Sequence, residues 1–163
     1  MSLNTLEEIA NYIVSDGKGI LAADESNPTC GKRFDSIGVE STEINRRDYR
    51  EMLFRASGMQ DNIGGVILFD ETIRQSAEDG TSLVELIKNQ GALPGIKVDK
   101  GLAPLESSPE ETVTQGLDGL DERCKDYVSL GAKFTKWRAV IKISDSLPTD
   151  ECIEANMQAL AKY

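Results

Sequence analysis

Four short apolar runs recur along the chain: GILAAD at 19–24, GGVILFDET at 64–72, LPGIKVDKG at 93–101 and GAKFTKWRAVIKI at 131–143. Each is followed by a stretch whose apolar residues return at helical spacing. INRRDYREMLFRAS (44–57) sets Tyr49, Met52 and Leu53 inward, and SLVELIKNQG (82–91) groups Leu83, Leu86 and Ile87. GLDGLDERCKDYVSLG (116–131) and DECIEANMQALAKY (150–163) complete the series, and an opening helix at 5–15 aligns Leu6, Ile9, Ala10 and Ile13 before Asp16 and Gly17 stop it. One helix followed by four strand–helix units predicts a parallel α/β sheet with crossover helices. No linker or low-complexity tract interrupts the 163 residues, so they read as one domain.

The strands are not apolar on both sides. In the fourth, Thr135, Trp137, Ala139, Ile141 and Ile143 alternate with Phe134, Lys136, Arg138, Val140 and Lys142. In the third, Lys97 and Asp99 share a side and Ile96 and Val98 take the other. The first strand ends at Asp24, followed by Glu25 and Ser26; the second leads into Asp70, Glu71 and Thr72. An open sheet with helices on both faces wants apolar residues on both. A (β/α)8 barrel instead turns one face inward, and polar residues near the strand C-terminal ends line its site. Lysines on that kind of face in two successive strands favour the barrel. The loops at 25–43 and 101–115 follow strands, where such folds keep their function.

The chain contains no histidine. That removes the commonest general base, the Ser-His and Cys-His nucleophile pairs and the commonest metal ligand. Catalysis here must run on Lys, Arg, Asp, Glu, Tyr, Ser or Cys. A clustered lysine has two uses: as an amine nucleophile when its pKa is lowered, or as a fixed cation for a phosphate or oxyanion. Arg33 and Arg46 add guanidinium forks suited to phosphate. Simpler readings stand beside these. Lys142 can be solvated at a strand end, Lys97 and Asp99 can form a structural ion pair, Asp24 can cap a turn, and Arg46–Arg47 can be a solvated helix face. Lys136 with Arg138 resists that treatment, because exposing their face would strand Phe134 and Val140.

With 18 Lys+Arg against 28 Asp+Glu, the formal net charge is -10. So acidic a chain has no broad electrostatic attraction for nucleic acid or an anionic membrane. Cys30, Cys124 and Cys152 are odd in number and widely spaced, as expected of inert reduced thiols. No apolar run approaches the roughly 18–20 residues that span a bilayer. The acidic, amphipathic N-terminus fits neither a signal nor a transit peptide. A cytoplasmic protein is expected.

GKGILAADES (17–26), KR at 32–33, SIGVESTEINRRDYR (36–50), GGVILFDET, GIKVDKG (95–101), TQGLDGL (114–120) and GAKFTKWRAVIKI together resemble class I fructose-bisphosphate aldolase. They come in that family's order and near its spacing, from about residue 3 to 163. The resemblance implies a (β/α)8 TIM barrel, a homotetramer, and no metal or other cofactor. It implies reversible cleavage of fructose 1,6-bisphosphate to dihydroxyacetone phosphate and glyceraldehyde 3-phosphate, in glycolysis and gluconeogenesis, through a lysine Schiff base. Asp24 matches the aspartate that handles the proton of the C4 hydroxyl. Lys136 matches the strand-four lysine that assists carbinolamine and Schiff-base chemistry, Arg138 the arginine beside it, and Lys97 the strand-three lysine of the site. Ser26, Thr29, Lys32, Arg33 and Arg46 fall where the family contacts substrate phosphate. Lys136 and Arg138 are thereby expected to face the barrel interior, where a doubly phosphorylated sugar is the anion.

The family's strand-five glutamates, strand-six Schiff-base lysine and late phosphate-binding serine and arginine have no counterpart in these residues. Residues 1–163 are therefore expected to be the N-terminal half of a single barrel domain: the first helix and four βα units, inactive alone. Two other readings remain open. One is a non-catalytic sugar-phosphate-binding half-barrel or scaffold, since the cations survive without the nucleophile. The other makes Lys136 itself the Schiff-base amine.

Overall fold

The computed structural model describes residue 3 and residues 5–163; Met1, Ser2 and Asn4, part of the N-terminal stretch read above, lie outside the described residues. In chain order the elements are α1 (Leu6–Ile13), β1 (Gly19–Ala23), α2 (Asn27–Asp35), α3 (Glu43–Phe54), α4 (Met59–Asn62), β2 (Ile63–Leu68), α5 (Asp70–Ile73) and α6 (Leu83–Asn89). β3 (Leu93–Lys97), β4 (Leu102–Pro104), β5 (Thr112–Thr114), α7 (Leu120–Ser129), β6 (Phe134–Lys136) and α8 (Asp150–Lys162) follow. They form two compact units, Met1–Lys97 with Asp126–Thr135, and Val98–Lys125 with Lys136–Tyr163.

The first unit is built on the expected parallel sheet. β1 pairs with β2 and β2 with β3, both parallel, and the sheet order runs β1-β2-β3-β6. One face is dry: Ala23, Val66, Leu68 and Ile96 are fully buried, as are Phe54 of α3 and Leu83 and Ile87 of α6. The register places Ile20 and Ala22, Gly65 and Ile67, and Leu93 and Gly95 on the opposite face. That face is only partly covered, with Ile20 46% exposed. Phe134 fills the space its two glycines leave: a Cβ on Gly95 would stand 2.3 Å from the ring. Between Gly19 and Ile20 the register slips past Gly64, where a Cβ would lie 2.2 Å from the Ile13 carbonyl oxygen. Only glycine lets the end of α1 approach the sheet so closely. At its other end α1 carries a capping box, with Thr5 Oγ1 accepting from Glu8 N at 3.1 Å and Glu8 Oε2 accepting from Thr5 N at 3.0 Å.

In the second unit the antiparallel pair β4–β5 packs on α8. The fully buried Glu111 carboxylate caps that helix, accepting from Thr149 N at 2.9 Å and Thr149 Oγ1 at 2.6 Å. These bonds hold its pKa below the ordinary carboxylate value.

Several expectations need correction. The fourth strand is three residues long, and 137–143 has no regular structure. β3 ends at Lys97, and Val98 N is the last backbone donor to β6, to Lys136 O at 3.1 Å. Beyond it Arg138 O accepts a side-chain bond from Thr114 Oγ1 at 2.5 Å, so no ladder continues. The loop at 25–43 contains α2, whose first turn tolerates Pro28 because its N–H would be unsatisfied there anyway. The loop at 101–115 holds the β4–β5 pair. The second strand stops at Leu68, and Asp70–Ile73 is a helical turn. Met52 is 60% exposed rather than inward, and of the α1 stripe Leu6 is 87% exposed while Ile13 is buried. The buried stripe of α3 is Arg46, Arg50 and Phe54, a spacing of four that brings two guanidinium groups into the interior.

Candidate active site

The parallel register sets one end of the first unit's sheet. Ala23 pairs with Leu68 and Leu68 with Ile96, so Asp24, Phe69 and Lys97 occupy the next rung at the C-terminal ends of three adjacent strands. Two residues read from the sequence as chemical, Asp24 and Lys97, thus share a level and a face, and both are half-buried.

The segment after β1 carries the candidate phosphate contacts. Ser26 is the N-cap of α2, and its hydroxyl lies 3.1 Å from that of Thr29, with either able to donate. Lys32 and Arg33 sit exposed in the last turn of the same helix. Arg33 is drawn back onto Glu25 of the β1–α2 junction, forming an ion pair with that carboxylate, and donates from Nη1 to Tyr49 Oη at 3.2 Å. Glu25 pushes the Arg33 pKa further up. Burial, then the Glu25 charge, push the Tyr49 phenol up. Arg50, wholly buried, donates from Nη2 to Glu25 O at 2.8 Å and to Glu25 Oε2 at 3.2 Å.

Arg46 is engaged on every nitrogen. Nε and Nη2 donate to Glu71 at 2.8 and 2.6 Å, and Nη1 donates to Ser41 O at 2.6 Å. The solvated-face reading of Arg46 therefore fails: only 10% of its side chain is exposed, because it reaches across to α5. Asn27 Nδ2 also donates to Glu71, at 3.3 Å. The Arg46 hydrogen bonds hold the Glu71 pKa below its ordinary 4.5. A depressed carboxylate pKa adds stability above the ordinary value and loses it as pH falls through the folded value. Glu71→Gln should accordingly cost about 2 kcal/mol at pH 7. The gap in melting temperature between the two chains should close as the pH falls below 4.5; a gap constant with pH would show that the charge contributes nothing.

In the second unit, Lys136 ends β6 half-buried, and Arg138 follows exposed on irregular backbone. Asp99 is buried and accepts from Gly101 N at 3.3 Å. Lys142 forms a surface ion pair with Glu110. Burial pushes the Cys30 and Cys152 thiols up, which leaves them poor nucleophiles, as expected of inert cysteines.

Sequence reasoning missed the supporting groups Glu25, Tyr49 and Arg50. For Arg50 the available signal was the spacing of four that it shares with Arg46 and the buried Phe54.

A parallel α/β sheet with a carboxylate and an ammonium on one rung at its strand ends is consistent with part of a (β/α)8 barrel. Residues 5–163 match the family model of fructose-bisphosphate aldolase class-I, the glycolytic type. The chain belongs to that family. It is 53% identical over 163 residues to a probable fructose-bisphosphate aldolase class 1 of Xanthomonas campestris, covering 100% of this chain and 49% of that one. To fructose-bisphosphate aldolase C-B of Danio rerio it is 55% identical over 159 residues, covering 97% of this chain and 44% of the other. A solved Plasmodium falciparum fructose-bisphosphate aldolase, in complex with TRAP and a small-molecule inhibitor, superposes with a TM-score of 0.93 at 50% identity, over 95% of this chain and 45% of that one. The chain spans about half the length of the relatives it matches.

Proposed function

We propose that the protein to which these residues belong is a Schiff-base fructose-bisphosphate aldolase. It cleaves fructose 1,6-bisphosphate to dihydroxyacetone phosphate and glyceraldehyde 3-phosphate, in the cytoplasm, as a homotetramer of single-barrel chains. The observation that carries this reading is the family match across residues 5–163, in which Asp24 and Lys97 fall on one rung at the strand ends. A carboxylate there can take the C4 hydroxyl proton as the C3–C4 bond breaks, while an ammonium offsets oxyanion charge.

Lys136 moves protons as the carbinolamine forms and loses water, which requires an amine that can both hold and release a proton. Arg138 stays charged and holds substrate. Ser26, Thr29, Lys32, Arg33 and Arg46 contact phosphate. Arg46, bonded to Glu71 and Ser41 through Nε, Nη1 and Nη2, keeps one N–H of Nη2 for that contact. The Schiff-base lysine falls on the sixth strand, outside these residues.

The test is cleavage of fructose 1,6-bisphosphate by the full-length chain in a chelator, with triose phosphate detected by a coupled assay. Turnover that survives chelation, and covalent trapping of dihydroxyacetone phosphate by borohydride, are expected. Binding without turnover would replace this reading with a sugar-phosphate-binding scaffold. Trapping on the 131–143 peptide would move the Schiff base to Lys136.

A further inference from the structure

Glu25 has no role in the chemistry above, yet the segment after β1 is organised around its carboxylate. That side chain is 8% exposed, and the Arg50 side chain beneath it 1%. Tyr49 Oη donates to Glu25 Oε1 at 3.2 Å and accepts from Arg33 Nη1. Arg33 itself is 55% exposed and is tethered through Nη1 alone; its Nε and Nη2 bond to none of the described residues.

We propose that Glu25 is the positioning residue for Arg33. Anchored by Arg50 and Tyr49, it grips Nη1 and leaves the Nε–Nη2 edge presented to a pair of phosphate oxygens. That edge is the one suited to bidentate phosphate binding. A solvent-exposed arginine loses rotamer freedom when it binds, and one already tethered loses less. The tether does not cancel the arginine's charge. Arg50 already compensates Glu25, so one carboxylate and two guanidinium groups leave a net positive charge facing the anion.

The inference rests on the reading of Arg33 as a phosphate contact, and the experiment separates the two. KM and kcat for fructose 1,6-bisphosphate are measured on full-length chains carrying Arg33→Ala, Glu25→Gln, both together, or Tyr49→Phe. Arg33→Ala should raise KM. Glu25→Gln should raise KM about 5-fold with kcat held within about 2-fold, as expected when binding alone is lost. Added to Arg33→Ala, it should raise KM by less than about 2-fold further, since the two act as one unit. Tyr49→Phe, which removes one bond to the same carboxylate and one to Arg33 Nη1 but spares the Glu25 charge, should give a smaller rise of the same kind and carries the test of the tether if Glu25→Gln does not fold. An impaired Arg33→Ala beside unchanged Glu25→Gln and Tyr49→Phe, or full multiplication of the effects, overturns the role of Glu25 alone. An unchanged KM in Arg33→Ala overturns the phosphate-contact reading and this inference with it.

Discussion

Lys136→Ala in the full-length chain should lower turnover by two or more orders of magnitude, because a positioned acid–base group contributes typically ~10²–10⁴-fold. Lys136→Arg should recover little of it. The guanidinium restores the charge but holds its proton at any working pH, so it cannot pass one to a departing water. Arg138→Ala should behave differently, raising KM more than it lowers kcat, because in the role proposed for it the charge serves binding in ground and transition states alike. Steady-state kinetics on the three variants, with single-turnover trapping of the Schiff base, separates these outcomes. Near-normal turnover in Lys136→Arg would reduce the lysine to an electrostatic anchor.

Arg50→Ala should be the most destabilising substitution in the first unit, by about 3–5 kcal/mol, the usual consequence of stripping a buried charge of its partner. The Glu25 carboxylate would stay buried, held only by Tyr49 and the half-exposed Arg33. The double variant Glu25→Gln/Arg50→Met should recover much of the loss, since removing both charges leaves neither unpaired. Urea unfolding of the three chains measures this directly. Lys125→Ala, which breaks a surface pair with both side chains more than 70% exposed, should be scarcely distinguishable from wild type in the same experiment. A loss below about 1 kcal/mol for Arg50→Ala would mean that water or neighbouring groups solvate Glu25 well enough without it.

The strands were legible where local pattern and tertiary environment agree. GILAAD, GGVILF and LPGIK are short, rich in branched residues and bounded by turn signals, and all three form strands. Asp24 and Lys97 could be picked out as candidates because a polar residue at a strand end is conspicuous in an otherwise apolar run. The pattern misled where the backbone lacked a partner. Residues 137–143 alternate as well as any strand, but alternation describes side chains, and a ladder needs a neighbouring backbone to bond. It misled again on α3. Arg46 admits a solvated-face reading because arginine is almost never buried unpaired, and its partner Glu71 lies 25 positions away. No local window contains both halves of such a pair.

The amino-acid sequence by itself determined the order of helices and strands, the parallel sheet and the kinds of side chain available for chemistry. Periodicity, turn residues and the absence of histidine are local properties and can be read one window at a time. The tertiary structure alone decided which cations are tethered and which stay open. Arg46 is bonded on all its nitrogens, whereas Arg33 is held by one and exposed on the rest. That difference comes from where two glutamates of distant segments arrive in space, and of these two pairings only Arg46–Glu71 has its guanidinium buried.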